Sequence, residues 1–292
     1  MVSRSFFILQ NKSQKTMKRI LVPTDFSDAS RNAFRYAMAL CRELQPESIL
    51  LTHVFLPETT GEADFIPPIA EIMKSREEML QSFHEEMKEA HAPFPCPVTT
   101  EVKVGFPADE LARASEDFDL IVMGKTGQSN LLDRIFGSVS SSVSQRAYCP
   151  VLLVPADASF TPYKHIVYAS YYQPSDRDMV EQLMAFNANF NAHLHFVHVK
   201  EGNNDNMEKG QAQIFEELFE EGEPAFSFDM AEIESESVAE GLSQYANDNN
   251  ADLVVMATRH RGFWQNIVHR SQTKRMALTT DLPLIVLHLE DG

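Results

Sequence analysis

The sequence predicts an α/β protein built from two tandem units, each an open, mostly parallel sheet with helices on both faces. Three observations predict it. The chain repeats itself, its short apolar runs alternate with helical patterns, and its 292 residues are comfortable for two such units. In the repeat, KRILVPTDFS (Lys18 to Ser27) matches KHIVYASYYQ (Lys164 to Gln173). SILLTHV (Ser48 to Val54) matches AHLHFVHV (Ala192 to Val199), with His53 opposite His198. DLIVMGKT (Asp119 to Thr126) matches DLVVMATR (Asp252 to Arg259), and CPVLLV (Cys149 to Val154) matches LPLIVL (Leu282 to Leu287). The last two pairs share one offset, so the segments between them are equally long in both halves.

Residues 1–16 have no clear periodicity and are set aside as a flexible leader, or as preceding a true start at Met17. The first unit is expected over residues 17–155. Its strands are expected near 19–24, 48–54, 97–103, 120–124 and 151–154, as nearly continuous apolar runs that suit parallel strands covered on both faces. A helix starts at Ser27 or Asp28, a good N-cap, and carries Ala29, Phe34, Ala37 and Met38 at helical spacing to about Leu44. A longer helix covers about 69–91. Another follows Pro107, which sits in its first turn, and the last begins after Gly137. The join lies in PADASFTPYK (Pro155 to Lys164). The second unit, 163–292, repeats the strands near 165–170, 193–199, 225–231, 253–257 and 284–287. Right-handed crossovers restrict how such units can be wired.

A net charge of −17 repels nucleic-acid backbones, and no Lys/Arg stripe offsets it, so a nucleic-acid partner is not expected. No apolar run approaches the roughly 18 residues of a membrane span. FFIL (Phe6 to Leu9) is too short for a signal-peptide core. A cytoplasmic protein without a membrane partner is the default expectation. Cys41, Cys96 and Cys149 form no CxxC, which argues against a disulfide framework or a cysteine zinc site. Cys149, beside a hydrophobic strand, reads as a small buried apolar residue.

GKT (Gly124 to Thr126) has the ending of a P-loop. Its context is wrong, because Leu120 to Met123 belong to a buried strand and the residues after Thr126 have loop composition. Another spacing fits better: Gly124, two residues, Gly127, nine residues, then Gly137-Ser138. Gly124 ends a strand, where a ligand could approach backbone closely. Gly137-Ser138-Val139-Ser140 opens a helix whose free N–H groups and dipole form an anion site, with Ser138 and Ser140 adding hydroxyls. On residues alone, Gly127 as a plain turn and Ser138 as a plain N-cap remain open.

The run from Met123 to Val154 resembles the ATP-binding signature of the universal stress protein family, Gly-x2-Gly-x9-Gly-Ser. ILVPTDFSDAS (Ile20 to Ser30) is similar to that family's first strand and turn, and LLTHV (Leu50 to Val54) to its second strand. With the duplication, the resemblance covers nearly all of the chain after Met17. It implies five-stranded, Rossmann-like sheets in the order 3-2-1-4-5, whose switch point lies between strands 1 and 4. It also implies ATP or another adenine nucleotide as the ligand of the first unit, with Mg2+ as an optional companion. Asp25 would contact the adenosine moiety. Pro23, Thr24 and Val54 would line the adenine pocket, Met123 and Gly124 would flank the sugar and first phosphate, and Gly127 with Gly137 to Ser140 would cradle the phosphates. Family members commonly pair through their fifth strands, which a tandem chain could do internally, and two such chains could form a homodimer.

In the second unit Tyr171, Ala257, His260 and Arg270 replace Asp25, Gly124, Gly127 and Gly137, and only Ser271 survives, opposite Ser138. That half is read as having lost the nucleotide site. Strand alternation puts His193 and His195 on one face and His198 on the other. Two histidines without a visible third ligand are read as strand residues, and no metal site is assigned. RHRGFW (Arg259 to Trp264) is read as a surface loop and EELFEEGE (Glu216 to Glu223) as a solvated acidic helix end. No catalytic constellation emerges; Asp28 and Asp133 read as helix or loop residues. The leading expectation is a tandem stress-response protein that holds a nucleotide. A slow ATPase or phosphotransferase using the same pocket, and a nucleotide-free structural module, are the rivals.

Overall fold

A computed structural model of the chain describes residues 17–57, 68–125, 138–170, 176–200, 226–259 and 280–289. The apolar runs form β1 (Arg19–Pro23), β2 (Ser48–Phe55), β3 (Val98–Val104), β4 (Leu120–Lys125) and β5 (Val151–Pro155). Their counterparts are β6 (His165–Ala169), β7 (His193–Lys200), β8 (Phe228–Glu234), β9 (Leu253–Arg259) and β10 (Leu284–Leu289). β8 begins three residues later than expected, because Leu194 of β7 pairs with Phe228 and leaves Phe226 ahead of the ladder.

The helices are α1 (Asp28–Leu44), α2 (Ile69–His91), α3 (Pro107–Ala114), α4 (Ser138–Arg146), α5 (Asp176–Asn187) and α6 (Val238–Asp248). α1 starts because the Ser27 hydroxyl accepts the Ser30 N–H. It stops at Gln45, whose left-handed φ of 49° lets its N–H bond the Cys41 carbonyl. α6 repeats the device, with Ser237 accepting from the Glu240 N–H.

All ten strands form one sheet in the order β3-β2-β1-β4-β5-β10-β9-β6-β7-β8. Each half therefore has the 3-2-1-4-5 order. Every neighbouring pair is parallel except β5 and β10, which run antiparallel at the centre. There Leu284 pairs with Leu153, Ile285 with Leu152, and Val286 with Val151. Counterparts in this part of the repeat are 133 residues apart, as Asp119 and Asp252 are, so Leu152 faces its own counterpart. A local two-fold axis passes through that pair, the arrangement of an isologous dimer contact within one chain.

Alternation along the strands loads both faces. Ile20, Val22, Ile49, Leu51, Leu120 and Val122 pack under α1 and α2, and the same apolar layer runs on through Ile285, Val255 and Tyr168 beneath α5. Leu21, Ile121, Met123, Leu153, Val254 and Val286 face the other way, against α3, α4 and α6. Each fully buried side chain of this size contributes about 1.5–3 kcal/mol relative to an exposed one. The three cysteines are buried thiols.

The repeat also extends to polar anchors. Asp119 Oδ2 accepts the backbone N–H groups of Lys18 and Arg19, both at 2.9 Å, and so ties the entry of β1 to that of β4. Asp252 Oδ2 does the same for Lys164 and His165, at 2.7 and 3.0 Å. Asn32 donates to the carbonyls of Pro155 and Ala158 and pins the join between units onto α1.

Candidate functional site

The strand order reverses direction at β1 and β4, and in open sheets of this kind the crevice for a ligand lies beyond the carboxyl ends of such neighbouring strands. Pro23 ends β1, and Thr24 prolongs the ladder by donating its N–H to the Thr52 carbonyl at 2.8 Å. The chain then turns sharply. Phe26 takes φ 66°, uncommon for a residue with a side chain. Thr24 holds it there, since its Oγ1 accepts the Phe26 N–H at 3.0 Å and meets the Ser30 hydroxyl at 3.0 Å.

Asp25 stands exposed at the rim of this turn. Its Oδ1 accepts the Ser27 N–H at 3.0 Å and the Ser27 hydroxyl at 2.5 Å. Partial burial opposes ionisation, but the Ser27 bonds and the Ser30 hydroxyl outweigh it and hold the carboxyl below its ordinary range. Asp25 is therefore an ionised acceptor fixed in direction by the residue that caps α1.

His53 supports the turn from beneath. Its Nδ1 lies 2.8 Å from the Thr24 carbonyl, which can only accept, so Nδ1 carries the proton. Burial lowers its pKa, against the Thr24 bond that favours protonation, and keeps the ring neutral. Its Nε2 is buried without a hydrogen-bond partner. The ring packs 4.5 Å from Phe26 and stacks on Phe55 at 5.9 Å. His198 repeats the contact, with Nδ1 2.9 Å from the Ser170 carbonyl. The matched histidines visible in the sequence thus pin the chain just past the ends of β1 and β6.

Gly124 lies near the end of β4. A Cβ there would stand 2.6 Å from the Ala29 carbonyl oxygen and 3.0 Å from Ser30 N. The first turn of α1, not only a ligand, requires the glycine. Val54 and Met123 are buried in one apolar cluster, against which Val139 of α4 packs, and Ser140 is buried beside it. The structure therefore brings Pro23, Thr24, Asp25, Val54, Met123, Gly124, Val139 and Ser140 to the same end of the sheet. Ser138 opens α4, and its side chain lies outside the described residues, as do Gly127 and Gly137. Tyr171, His260, Arg270 and Ser271 of the second half are also outside them, as are RHRGFW beyond Arg259, EELFEEGE and Asp133.

Lys125, the lysine of GKT, is buried and donates its Nζ to the Thr280 carbonyl of the other unit. Burial pulls its pKa from 10.5 down to about 8, while Asp281 acts in the opposite sense. This lysine is occupied across the seam between units and is not a phosphate clamp.

The sequence pattern of the universal stress protein family matches residues 16–155 and again 162–288. Universal stress protein MJ0531 of Methanocaldococcus jannaschii is 30% identical over 165 residues, covering 53% of this chain and 93% of its own. A universal stress protein from Archaeoglobus fulgidus has a similar structure along both units. Its TM-score is 0.74 at 18% identity, over 94% of this chain and 98% of that one. A family protein from Arabidopsis thaliana, solved with AMP bound, aligns with 50% of this chain and 96% of its own, at 20% identity and a TM-score of 0.32.

Proposed function

The chain belongs to the universal stress protein family, and on that basis we propose that its N-terminal unit binds ATP or another adenine nucleotide and serves in cytoplasmic stress signalling. The bound AMP belongs to the plant relative; in this chain the reading rests on residues. The observation that carries it is the attachment of Gly124-x2-Gly127-x9-Gly137-Ser138 to the end of β4, beside Asp25 at the end of β1. Asp25 would accept hydrogens from the ribose hydroxyls or the adenine amino group. Val54 and Met123 supply apolar surface nearby, and the N–H groups at the start of α4 suit a phosphate chain. A nucleotide brings no chemistry beyond its own phosphate bonds, and Mg2+ would be held mainly by its phosphates.

Asp25, ionised below its ordinary range, serves this reading as an acceptor at the adenosine end. Holding rather than cutting is read from the sequence, in which no catalytic constellation emerges. The C-terminal unit, with side chains at the matching glycine positions, is read as the degenerate partner, and the β5–β10 ladder as a built-in substitute for pairing between separate chains.

Titration of the purified protein with ATP tests the reading. Saturable binding is expected, weakened at least tenfold by Asp25→Ala and by Gly127→Lys. No binding at millimolar ATP, or equal binding by parent and variants, defeats it. Chromatography after long incubation separates holding from hydrolysis, with intact ATP expected.

A further inference from the structure

At the opposite end of the sheet, where β6, β7 and β8 begin, four metal-ligating side chains meet. His165 is in register with His193, and His195 with Asp229. All four point to the face covered by α6, because residues two apart share a face. His193 Nε2 lies 2.9 Å from Asp229 Oδ2, and His165 Nδ1 lies 3.2 Å from His195 Nε2. His195 Nδ1 is 3.3 Å from the hydroxyl of Tyr245 on α6. One ligand atom each from His193, His195 and Asp229 fall within 4.8 Å of one another.

The fold does not require this cluster. At the same registers the N-terminal unit has Arg19 beside Ser48 and Leu50 beside Thr99. A repeat that conserves Asp119 as Asp252 and His53 as His198 has here exchanged a cation, a hydroxyl, an aliphatic group and another hydroxyl for three imidazoles and a carboxylate. Packing three imidazoles together is also a poor arrangement for charge. His195 is only 4% exposed, and burial, then His193 and His165, lower its pKa against the pull of Asp229. Neutral imidazole is the form that binds metal.

We propose that His193, His195 and Asp229 form a site for one divalent transition-metal cation, with Zn2+ as the reference occupant and His165 as a fourth donor within reach. Two or three imidazole nitrogens with one carboxylate oxygen suit Zn2+ and its first-row neighbours better than Mg2+ or Ca2+. Tetrahedral Zn2+ with ligands at about 2.0–2.1 Å sets them roughly 3.4 Å apart, so a modest inward closure completes the site. Asp229 can supply it: its side chain is two-thirds exposed, on the last strand of the sheet. The Tyr245 hydroxyl, beside His195 Nδ1, can accept a hydrogen bond from that nitrogen and leave Nε2 to the metal, the orienting partner that metal-bound histidines usually have. On metal binding His165 takes the tautomer with its proton on Nε2, which frees Nδ1 to ligate. The cluster lies at the amino ends of the strands, away from the crevice at their carboxyl ends, and the proposal stands apart from the nucleotide reading.

The test is a Zn2+ titration of the full chain without nucleotide, against a chromophoric chelator, repeated with Co2+ for its visible spectrum. One Zn2+ per chain is expected, with the intense visible bands of tetrahedral Co2+. Asp229→Asn and His193→Ala should each weaken Zn2+ binding at least tenfold and erase those bands, while His91→Ala on α2 leaves both unchanged. Asp229→Asn is an isosteric change of an exposed side chain and should melt with the metal-free parent, which separates ligand loss from misfolding. Absence of saturable Zn2+ binding overturns the proposal. So does equal affinity in the parent and the two cluster variants, which would place the metal elsewhere.

Discussion

Lys125 places an amine where water is scarce, and the energetic consequence depends on pH. Its folded pKa, about 8, is below the ordinary 10.5 because burial disfavours the charged form. Between those values the unfolded chain holds a proton that the folded chain has lost, so this residue's contribution to stability rises with pH across the window and is lowest below pH 8. The stability of the parent minus that of Lys125→Met should therefore increase between pH 8 and 10.5, as read by urea unfolding at stepped pH. A flat difference would refute the assignment. The buried run Leu120 to Met123 was legible and excluded a P-loop, but the burial of Lys125 and its partner Thr280 were not, because that contact crosses between units. Gly124 gives the same lesson: a strand-ending glycine is visible in the sequence, but the Ala29 carbonyl that forbids its Cβ comes from a distant helix start.

Among the elements, α1 links stability to the crevice most directly. Ser27 caps the helix with its oxygen and gives its hydroxyl hydrogen to Asp25, so one side chain serves both. Ser27→Ala should cost about 1 kcal/mol in denaturant unfolding, the usual value of a lost cap. It should also raise the Asp25 carboxyl pKa in an NMR titration, since the hydroxyl bond that helps lower it is gone. An unmoved Asp25 would mean that Ser27 does not set its charge state. The helix start, the cap and nearly every strand were legible because apolar runs and capping residues are local signals. β8 was the least so. It is an edge strand in which Met230 and Ala231 break the apolar/acidic alternation, and its register is set by β7 rather than by its own sequence. For the same reason Asp229 could not be found as a third ligand beside His193 and His195 before that register was known.

For the whole molecule, the seam matters more than either unit. Both apolar layers cross it, β10 pairs with β5, and His288 Nε2 meets the Ser144 carbonyl of the other unit at 3.0 Å. The two units should consequently unfold as one body. Calorimetry should show a single transition with equal calorimetric and van't Hoff enthalpies, and two resolved transitions would show that the seam is weak. The repeat and the strand order were legible in the sequence, through motif matches and family resemblance. Pairing of the two sheets through their fifth strands was expected only from the family resemblance, because such long-range pairing is encoded by no local pattern.

The axis through Leu152 and Ile285 has a further consequence. In a dimer of separate chains, contacts about such an axis dissolve on dilution and each substitution appears twice. Here residues 156–164 tether the partners, and a short tether holds them at an effective concentration in the millimolar range. Protein abundance therefore cannot open or close this contact, and mutation can alter one side of it while sparing the other. The two copies do differ in this way: Gly124, Gly127 and Gly137 of one stand opposite Ala257, His260 and Arg270 of the other.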